Sequence, residues 1–530
     1  MLLITQLKIS VNTDKKDLVN VIAKKLLLNP ISILDFTVIR RSIDARKKDN
    51  ILFVYNIRVT VKDDQEVLRY KIKGVELFVE KILVDPFDAK IFNKDKKIAI
   101  VGFGPAGMFS ALKLSSLGIN VTVFERGEEV DKRNISIKKF EEQGVLNTES
   151  NIQFGEGGAG TYSDGKLTNR KKDIRGTWLF EELVKAGAPK EILFVHNPHI
   201  GTDKLVNVVK NIRNKVIDNG STIKFDSKVS NIELFDKGLK LTINDKIEYF
   251  DFVILAIGHS SRDTIEMLYN NKVDIQLKPF AVGLRIEHKQ LAINKAQFGP
   301  NYKNMILGAA EYKLTNQTSN GKGVYTFCMC PGGYVVPSAS EEGMLVVNGM
   351  SKYRRDNENA NSALLVTVNE KDFKNNHPLA GIEFQRNLEK KAFELGGGKY
   401  HAPVQSVEDF INNKVTKKLG SVTPSYSIGY KFANLRTLFS DDINDAFIES
   451  FPMLGKKLKG FDQSDAILTG VESRSSSSVR ITRNNDDLES VNYPNLYPAG
   501  EGAGYAGGIV SAAIDGIKVA EKIMNKLIKE

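Results

Sequence analysis

The order of apolar and polar positions divides the first ninety residues into strand-like and helix-like stretches. Apolar residues alternate with polar ones in four runs, at 2–11, 34–41, 51–61 and 75–79. Helical spacing of three and four occurs in two stretches between them, at 14–28 and 64–70. The resulting βαββαβ order predicts a ferredoxin-like α+β domain over residues 1–90. Residues 85–88, Asp-Pro-Phe-Asp, are interpreted as a linker after it.

A different pattern begins near residue 96. Lys97–Val101 is an apolar, β-branched run, residues 108–117 are apolar at helical spacing, and Asn120–Phe124 is again strand-like. The first strand and the helix are joined by Gly102-Phe-Gly104-Pro-Ala-Gly107, and Glu125 follows the second strand. A strand, a GxGxxG turn, a helix, a strand and an acid in this order predict the dinucleotide site of a Rossmann domain.

Each residue type in this turn has a physical role. Gly102 permits a tight turn, Gly104 lets the backbone approach a pyrophosphate, and Gly107 lets the helix pack closely on the strand. The N-terminus of the helix offers free N–H groups and the positive end of its dipole to phosphates. Glu125 can accept hydrogen bonds from a ribose 2′-OH, which argues against a 2′-phosphate at this position.

The chain carries two further glycine-rich stretches that predict contact with a nucleotide. Residues 151–166 form a long loop with four glycines between Gly155 and Gly160. Near the C-terminus, the strand-like run 495–499 is followed by the glycine-rich segment 500–508 and a helix over 509–529. Both ends of the chain are therefore expected to meet around one nucleotide.

Residues 265–460 contain no second strand–GxGxxG–helix unit. They carry many strand-like pieces and are interpreted as an inserted mixed α+β domain. The predicted organisation is a ferredoxin-like domain at 1–90 and a Rossmann domain in two parts, at 96–264 and 461–530. The insertion, at 265–460, lies between those two parts.

Composition adds limits on location and partners. The only two cysteines, Cys328 and Cys330, cannot form a disulfide framework, which predicts a reducing, cytoplasmic location. No apolar stretch approaches the ~20 residues that cross a bilayer, so no membrane partner is predicted. A CxC pair without further cysteines also predicts no metal site.

The net charge of +11 raises the question of a nucleic-acid partner. Lysines are scattered, and residues 1–95 hold 18 Lys and Arg against 13 Asp and Glu. This weak excess favours solvated lysine-rich surfaces over a nucleic-acid interface.

Beyond these patterns, the chain resembles the bacterial family of uncharacterised FAD-dependent dehydrogenases, also called NAD(FAD)-utilising dehydrogenases. The resemblance covers nearly the whole chain and rests on long motifs at 101–107, 125–127, 150–167, 278–288, 327–333, 470–480 and 498–508. Ser478 stands where the family pattern has proline. The resemblance implies FAD and a glutathione-reductase-like α/β fold with one Rossmann-type FAD-binding domain, but it implies no substrate.

Candidate FAD-binding residues follow from the motifs and this resemblance. Arg126 or Arg133 would neutralise phosphate, and the glycine loop would wrap the pyrophosphate. Glu501 would face the ribityl hydroxyls, while the helix after it would direct its dipole at the flavin. The full predicted set is Gly102, Gly104, Pro105, Ala106, Gly107, Glu125, Arg126, Arg133, Gly157, Gly158, Ala159, Gly160, Ser163, Lys166, Val229, Gly258, Gly500, Glu501, Gly507, Gly508 and Ile509.

Candidate catalytic and substrate residues are fewer. Cys330 is the catalytic candidate, because an accessible thiolate beside a flavin can attack a substrate or exchange electrons. The alternative is that both cysteines are small buried hydrophobic residues. Arg285 and Arg474 are candidates for binding an anionic substrate, as are His288 and Arg480, and either His259 or His288 could shuttle protons. Salt bridges or core hydrogen bonds would explain these residues equally well.

The leading functional hypothesis is an FAD-dependent oxidoreductase that transfers hydride at flavin N5 to or from a small-molecule substrate. NADH or NADPH is expected at most as a transient electron donor, because the sequence carries a single fingerprint. The alternative is an FAD-containing, RNA-associated or RNA-modifying protein that uses its basic N-terminal domain.

Overall fold

The computed structural model describes residues 1–79, 86–87, 90–168 and 173–529. Of the linker predicted at 85–88, residues 85 and 88 therefore lie outside the described residues. Secondary structure in the first unit comprises β1 Leu2–Ser10, α1 Leu18–Leu26, β2 Ile33–Asp44, β3 Leu52–Val61, α2 Asp64–Arg69 and β4 Val75–Leu77. These strands form an antiparallel sheet in the order β2-β3-β1-β4. The element order is the βαββαβ order predicted from the alternation of apolar positions.

The next elements begin the second unit. They are β5 Ile98–Val101, α3 Pro105–Ser116, β6 Thr122–Phe124, α4 Val130–Gln143, α5 Arg175–Lys185, α6 Thr202–Asp218, β7 Thr222–Lys224, β8 Val229–Phe235, β9 Gly238–Ile243, β10 Lys246–Phe250, β11 Phe252–Leu255 and α7 Arg262–Asn270. Strands β8, β9 and β10 form an antiparallel sheet of their own.

The remaining elements belong to the insertion and the C-terminal return. They are β12 Ile275–Leu277, β13 Phe280–Lys289, α8 Gln290–Phe298, β14 Thr315–Gln317, β15 Gly323–Cys330, β16 Tyr334–Pro337, β17 Val347–Met350, β18 Asn359–Val368, α9 Ala380–Leu395, β19 Ala402–Ser406, α10 Val407–Ile411, β20 Tyr430–Phe432, α11 Asp441–Lys457, β21 Ile467–Glu472, β22 Val479–Ile481, β23 Leu496–Pro498 and α12 Ile509–Leu527.

A five-stranded parallel sheet in the order β23-β11-β5-β6-β7 organises the second unit. All four residues of β5 and of β11 are buried, as expected of parallel strands covered on both faces. Because the strands are parallel, their carboxyl ends meet at one edge of the sheet. The turns that follow β5, β6, β11 and β23 therefore lie side by side.

The insertion is built on a seven-stranded sheet in the order β14-β15-β18-β13-β21-β19-β20. Its pairs are antiparallel except β19 with β20. Strand β21 lies between β13 and β19, so this sheet extends to Glu472, beyond the boundary at 460 predicted from sequence. The predicted boundary was wrong because periodicity identifies a strand but does not identify the sheet to which it pairs.

The first unit and the insertion share one apolar core. Leu2 and Ile57 of the first unit belong to the same buried cluster as Leu284 and Leu364 of the insertion. Strand β2 also meets the second unit, where the N–H of Arg41 donates to the carbonyl of Phe194 at 2.7 Å. Across the residues that the structure describes, no helix combines the length and apolarity of a membrane-spanning segment.

Candidate functional site

A long cavity opens where the carboxyl edge of the parallel sheet faces the seven-stranded sheet of the insertion. One wall comes from the turns after β5, β6, β11 and β23, and includes Gly104, Glu125, Gly258 and Glu501. The opposite wall comes from the end of β15 and from β17, with Phe327 to Cys330, Asn348 and Gly349. The predicted nucleotide turn and the predicted catalytic segment therefore face one another.

Two helices point their N-termini at this cavity. Helix α3 starts after Gly104 and α12 starts after Gly508, and residues of both first turns line the cavity. No side chain caps either helix. Uncapped N–H groups and the positive ends of two helix dipoles make this part of the cavity suited to an anion.

Two of the glycines keep the backbone wall open at the same place. A Cβ added to Gly104 would meet only the Cα of Gly158, at 3.7 Å. At Gly258 a Cβ would meet nothing within 4 Å, and its φ of +71° favours glycine. Side chains at these positions would occupy space inside the cavity.

Gly107 has a different role and does not line the cavity. A Cβ there would lie 2.0 Å from the carbonyl oxygen of Gly102, so glycine is required for α3 to pack against β5. This is the packing role that the sequence predicts for it, and it is not a ligand contact.

Glu125 lies beside the cavity and organises the surrounding backbone. Its Oε2 accepts a hydrogen bond from the N–H of Phe103 at 2.7 Å, and its Oε1 accepts from the N–H groups of Gly127 and Gly155, both at 3.0 Å. A carboxylate offers about four acceptor positions. The three backbone bonds leave one position on Oε2 for a ligand hydroxyl.

The two arginines predicted to contact phosphate are committed to protein partners. Arg126 lines the cavity, but it donates to Glu149 and, through two nitrogens, to Asp263, and it lies over the Phe154 ring. Arg126 therefore lies beside the cavity, but its guanidinium already donates to two carboxylates.

Arg133 is fully buried and does not line the cavity, so its predicted phosphate contact is wrong. Its guanidinium donates to four backbone carbonyls of the glycine loop, those of Asn151, Ile152, Glu156 and Gly158. Arg133 therefore fixes the shape of the loop that faces the cavity.

Most of the other predicted nucleotide ligands do line the cavity: Gly102, Pro105, Ala106, Gly158, Ala159, Gly160, Ser163, Lys166, Val229, Gly507, Gly508 and Ile509. Gly157 and Gly500 do not. The N–H of Gly157 donates to the carbonyl of Phe103 at 2.9 Å, and that of Gly500 donates to Asp515 at 2.7 Å. Both glycines shape the turns behind the wall.

A histidine–carboxylate pair lies on the wall of the cavity. Nδ1 of His259 is 3.1 Å from Oε1 of Glu501, and both side chains line the cavity. Nε2 of His259 is buried and has no partner among the described residues. With the Nδ1 proton donated to Glu501, Nε2 carries a lone pair and can accept a hydrogen bond.

His288, the other predicted proton shuttle, is fully buried in the insertion and is not part of the cavity wall. Its Nε2 bonds to the carbonyl of Phe461 at 2.7 Å, and burial lowers its pKa to about 4. Arg480 is likewise outside the cavity, with its guanidinium over the ring of Tyr505. Neither of these two side chains lies on the cavity wall.

Arg285 and Arg474, predicted to bind an anionic substrate, both donate hydrogen bonds to buried protein groups. Arg285 is fully buried outside the cavity wall and pairs with Glu472 at 2.9 Å. Arg474 reaches the wall, but it donates to Glu389 and to Oγ of Ser340. The prediction for Arg285 is wrong, whereas Arg474, which lines the cavity, stays a prediction.

The two cysteines differ in exposure. The Cys330 side chain is 2% exposed, whereas Cys328 is exposed on the cavity wall. Protein atoms nevertheless surround Cys328, and this burial raises the pKa of its thiol to about 12 although Arg285 opposes the shift. Both cysteines belong to the cavity wall: Cys330, the catalytic candidate from the sequence, has a buried side chain, and that of Cys328 is exposed.

Several cavity residues were missed by sequence reasoning. Asn348 and Gly349 on β17 lie on the wall without any motif of their own, and the buried Glu472 on β21 lies within the motif 470–480 but was not chosen as a candidate. Lys166, predicted from the glycine loop, lines the cavity and pairs with Glu311 at 3.1 Å. Among the described residues, no group of three metal-ligating side chains is present.

Comparison with known proteins adds a family context to this geometry. Residues 279–475 match the family described as FAD-dependent protein, C-terminal domain-like, and residues 1–60 match a domain of unknown function. The chain is 49% identical over 526 residues to an uncharacterised protein of Clostridium beijerinckii, covering 99% of this chain and 98% of that protein.

Solved structures share the arrangement only distantly. The tetracycline destructase Tet(51) is 12% identical, with a TM-score of 0.34, and the match covers 81% of this chain and 85% of that one. NikD, described as an unusual amino acid oxidase, is 12% identical, with a TM-score of 0.33 over 82% of this chain and 95% of that one. Similarities of this size support no inference about activity.

Proposed function

The chain belongs to the protein family that includes the uncharacterised Clostridium beijerinckii protein, and we propose that it is an FAD-dependent oxidoreductase. In this proposal it transfers hydride between flavin N5 and a small-molecule substrate. The match of residues 279–475 to an FAD-dependent family supports the cofactor. The same residues supply the cavity wall that faces the nucleotide turn.

The observation that carries the proposal is the pair of uncapped helix N-termini around open glycines. A pyrophosphate placed beside Gly104 would take backbone N–H groups from the first turns of α3 and α12. Gly104 and Gly258 have no side chain to hinder close approach of the phosphate oxygens to the backbone.

Other residues would hold the rest of the dinucleotide. Glu125 keeps one acceptor position for a ribose hydroxyl. Glu501 and the unpartnered Nε2 of His259 would accept from hydroxyls further along the cavity. The flavin, when bound, supplies a hydride acceptor or donor at N5. The wall at 327–330 would then face the reacting end and exclude water from it.

NADH or NADPH remains a proposal as a transient electron donor. It rests on the single glycine fingerprint at 102–107, which the first nucleotide would occupy. Isothermal titration of the oxidised protein should detect no tight, stoichiometric nicotinamide complex. A stoichiometric complex of low-micromolar affinity would show a second nucleotide site.

The test of the proposed function is the identity of the bound cofactor. Protein purified from its host and denatured should release FAD, not FMN, at about one per chain, measured by chromatography of the supernatant. The reason is that the glycine-rich segments at 102–107 and 500–508 both line one cavity, as expected for a site that holds a dinucleotide. Protein that folds but releases no flavin, even after incubation with FAD, would reject the proposal.

A further inference from the structure

The end of β15 departs from regular sheet pairing where it reaches the cavity. Its register against β18 shifts between Phe327 and Cys330. Cys328, inside this bulge, has a φ of +42°, which is uncommon for a residue with a side chain. Bulges are frequent beside active sites, where they redirect a side chain. Here the bulge turns Cys328 to the cavity while Cys330 stays buried behind it.

A buried cation holds this bulge in place. Nη2 of Arg285 donates to the carbonyl of Cys328 at 2.6 Å and lies 3.4 Å from Sγ of Cys330. Its charge is balanced by Glu472, which also lines the cavity. A backbone in a strained conformation persists only when its surroundings stabilise it, and a fully buried ion pair is a strong constraint.

The two thiols belong to one local unit. The S–H of Cys330 donates to the carbonyl of Cys328 at 3.3 Å, so its sulfur lies against the backbone of the other cysteine. They are the only cysteines in the chain. Both line the cavity that also contains the open glycine turns. A cavity-facing thiol with a second thiol behind it is the arrangement of an attacking and a resolving cysteine.

We propose that Cys328 and Cys330 form a redox-active dithiol–disulfide couple that exchanges two electrons with the bound flavin, a proposal that rests on the proposed function. In the oxidation of the couple two S–H bonds break and one S–S bond forms. Two electrons and two protons pass to FAD, giving FADH2, and the reverse reaction restores both thiols. Cys328 is the thiol that a disulfide substrate would meet, and Cys330 would release the reduced product by displacing it.

The burial of the thiols sets how the reduced couple should behave. Burial raises the pKa of both thiols, with Arg285 opposing it. Because the thiolate is the reactive form, alkylation of the folded, reduced protein should be slow. Electron exchange with a ligand inside the cavity does not require a solvent-exposed thiolate.

Electron counting tests the couple in the intact holoprotein. The protein is oxidised with diamide, desalted and titrated anaerobically with dithionite while flavin absorbance is followed, and free thiols are counted at each point by alkylation after anaerobic denaturation. Wild-type protein should take up four electrons per FAD, and two alkylatable thiols should appear as the disulfide is reduced. Cys330→Ser and Cys328→Ser should each take up two. Met329→Leu, which keeps both thiols, should still take up four.

The outcomes separate the two proposals. Wild-type protein that binds FAD but takes up two electrons, with both thiols alkylatable after diamide treatment, would overturn the dithiol couple and leave the oxidoreductase proposal intact. Folded protein without FAD would reject the oxidoreductase proposal itself. If either serine variant fails to fold, the electron count and thiol count of the wild-type protein still decide the question.

Discussion

At the scale of single residues, the cavity depends on where a side chain is absent. Gly104 and Gly107 lie three positions apart in one turn and have opposite surroundings. The first faces the cavity, with one atom within 4 Å of an added Cβ, whereas the second would place a Cβ 2.0 Å from a carbonyl oxygen. Gly104 therefore serves access of a ligand to the backbone, whereas Gly107 serves folding.

This difference gives a matched pair of variants. Gly104→Ala, with φ at −77°, should fold normally, because alanine adopts this backbone without strain. We expect its affinity for FAD to fall at least about tenfold, or about 1.4 kcal/mol of binding free energy, because the methyl group would occupy space in which phosphate oxygens approach the backbone. Gly107→Ala should instead lower the thermal midpoint or prevent folding. An unchanged dissociation constant for FAD in Gly104→Ala, measured by titrating the deflavinated protein, would contradict the assignment of this turn.

A buried histidine predicts a pH dependence of stability. Burial lowers the pKa of His288 from an ordinary 6.5 to about 4, so the folded state keeps it neutral while the unfolded chain protonates it. The neutral His288 therefore costs the folded state no stability above pH 6.5, the pKa in the unfolded chain. As the pH falls from there toward about 4, the pKa in the folded protein, the free energy of unfolding decreases. The slope approaches about 1.4 kcal/mol per pH unit between these values.

His288→Gln isolates this contribution from those of other titrating groups. The variant keeps a side-chain donor for the Phe461 carbonyl but has no titrating group. Urea unfolding of the two proteins between these pH values should show a flatter pH dependence in the variant. Parallel curves would mean that His288 is protonated in the folded protein.

At the scale of elements, the glycine loop is ordered by one side chain of α4. Arg133 supplies donors to carbonyls at both ends of the segment 151–158. Glu125 supplies acceptors to N–H groups from the other side. Ile152 and Phe154 are buried, but Gly155, Gly157 and Gly158 add no side chain, so these hydrogen bonds hold the glycine part of the loop.

Replacing Arg133 with methionine should therefore loosen the loop. Several buried carbonyls would lose their donor, which costs on the order of 3 kcal/mol of unfolding free energy. Arg133→Lys, with a single nitrogen, should fall between wild type and methionine. Urea unfolding measures the stability, and limited proteolysis within 151–158 reports the loop. Wild-type stability in Arg133→Met would show that the loop is held by other contacts.

At the scale of the whole molecule, a buried ion cluster joins the two walls of the cavity. Glu389 on α9 of the insertion accepts from Arg262 on α7 and from Arg474 after β21. All three side chains are almost completely buried. The two arginines hold the pKa of Glu389 well below its usual range.

Removing the charge of Glu389 should be severe. Glu389→Gln leaves the buried guanidinium of Arg474 without a carboxylate partner and leaves Arg262 with Glu341 alone, and we expect a loss of about 3–5 kcal/mol in unfolding free energy. Glu383→Gln, at an exposed position of the same helix, is the control and should change it by less than about 0.5 kcal/mol. Equal unfolding midpoints for the two variants would mean that the cluster adds no stability.

The sequence by itself determined the local features of this protein. The βαββαβ order, strand β5, helix α3 and the open position of Gly104 follow from periodicity and from the backbone freedom of glycine. Glu125 could be placed beside the cavity because it ends a strand next to that turn. These inferences succeed because each depends on residues within one or two turns of chain.

Only the tertiary structure decided which charged and sulfur-bearing side chains reach the cavity. Arg133 and Arg285 were candidates by residue type, yet carbonyls and a carboxylate from distant segments hold both of them in the interior. The exposure of Cys328 in place of Cys330 depends on a register shift against β18, and the pairing of β21 depends on strand order. Partners separated by many residues leave no periodic signal, because burial and pairing are properties of the assembled chain.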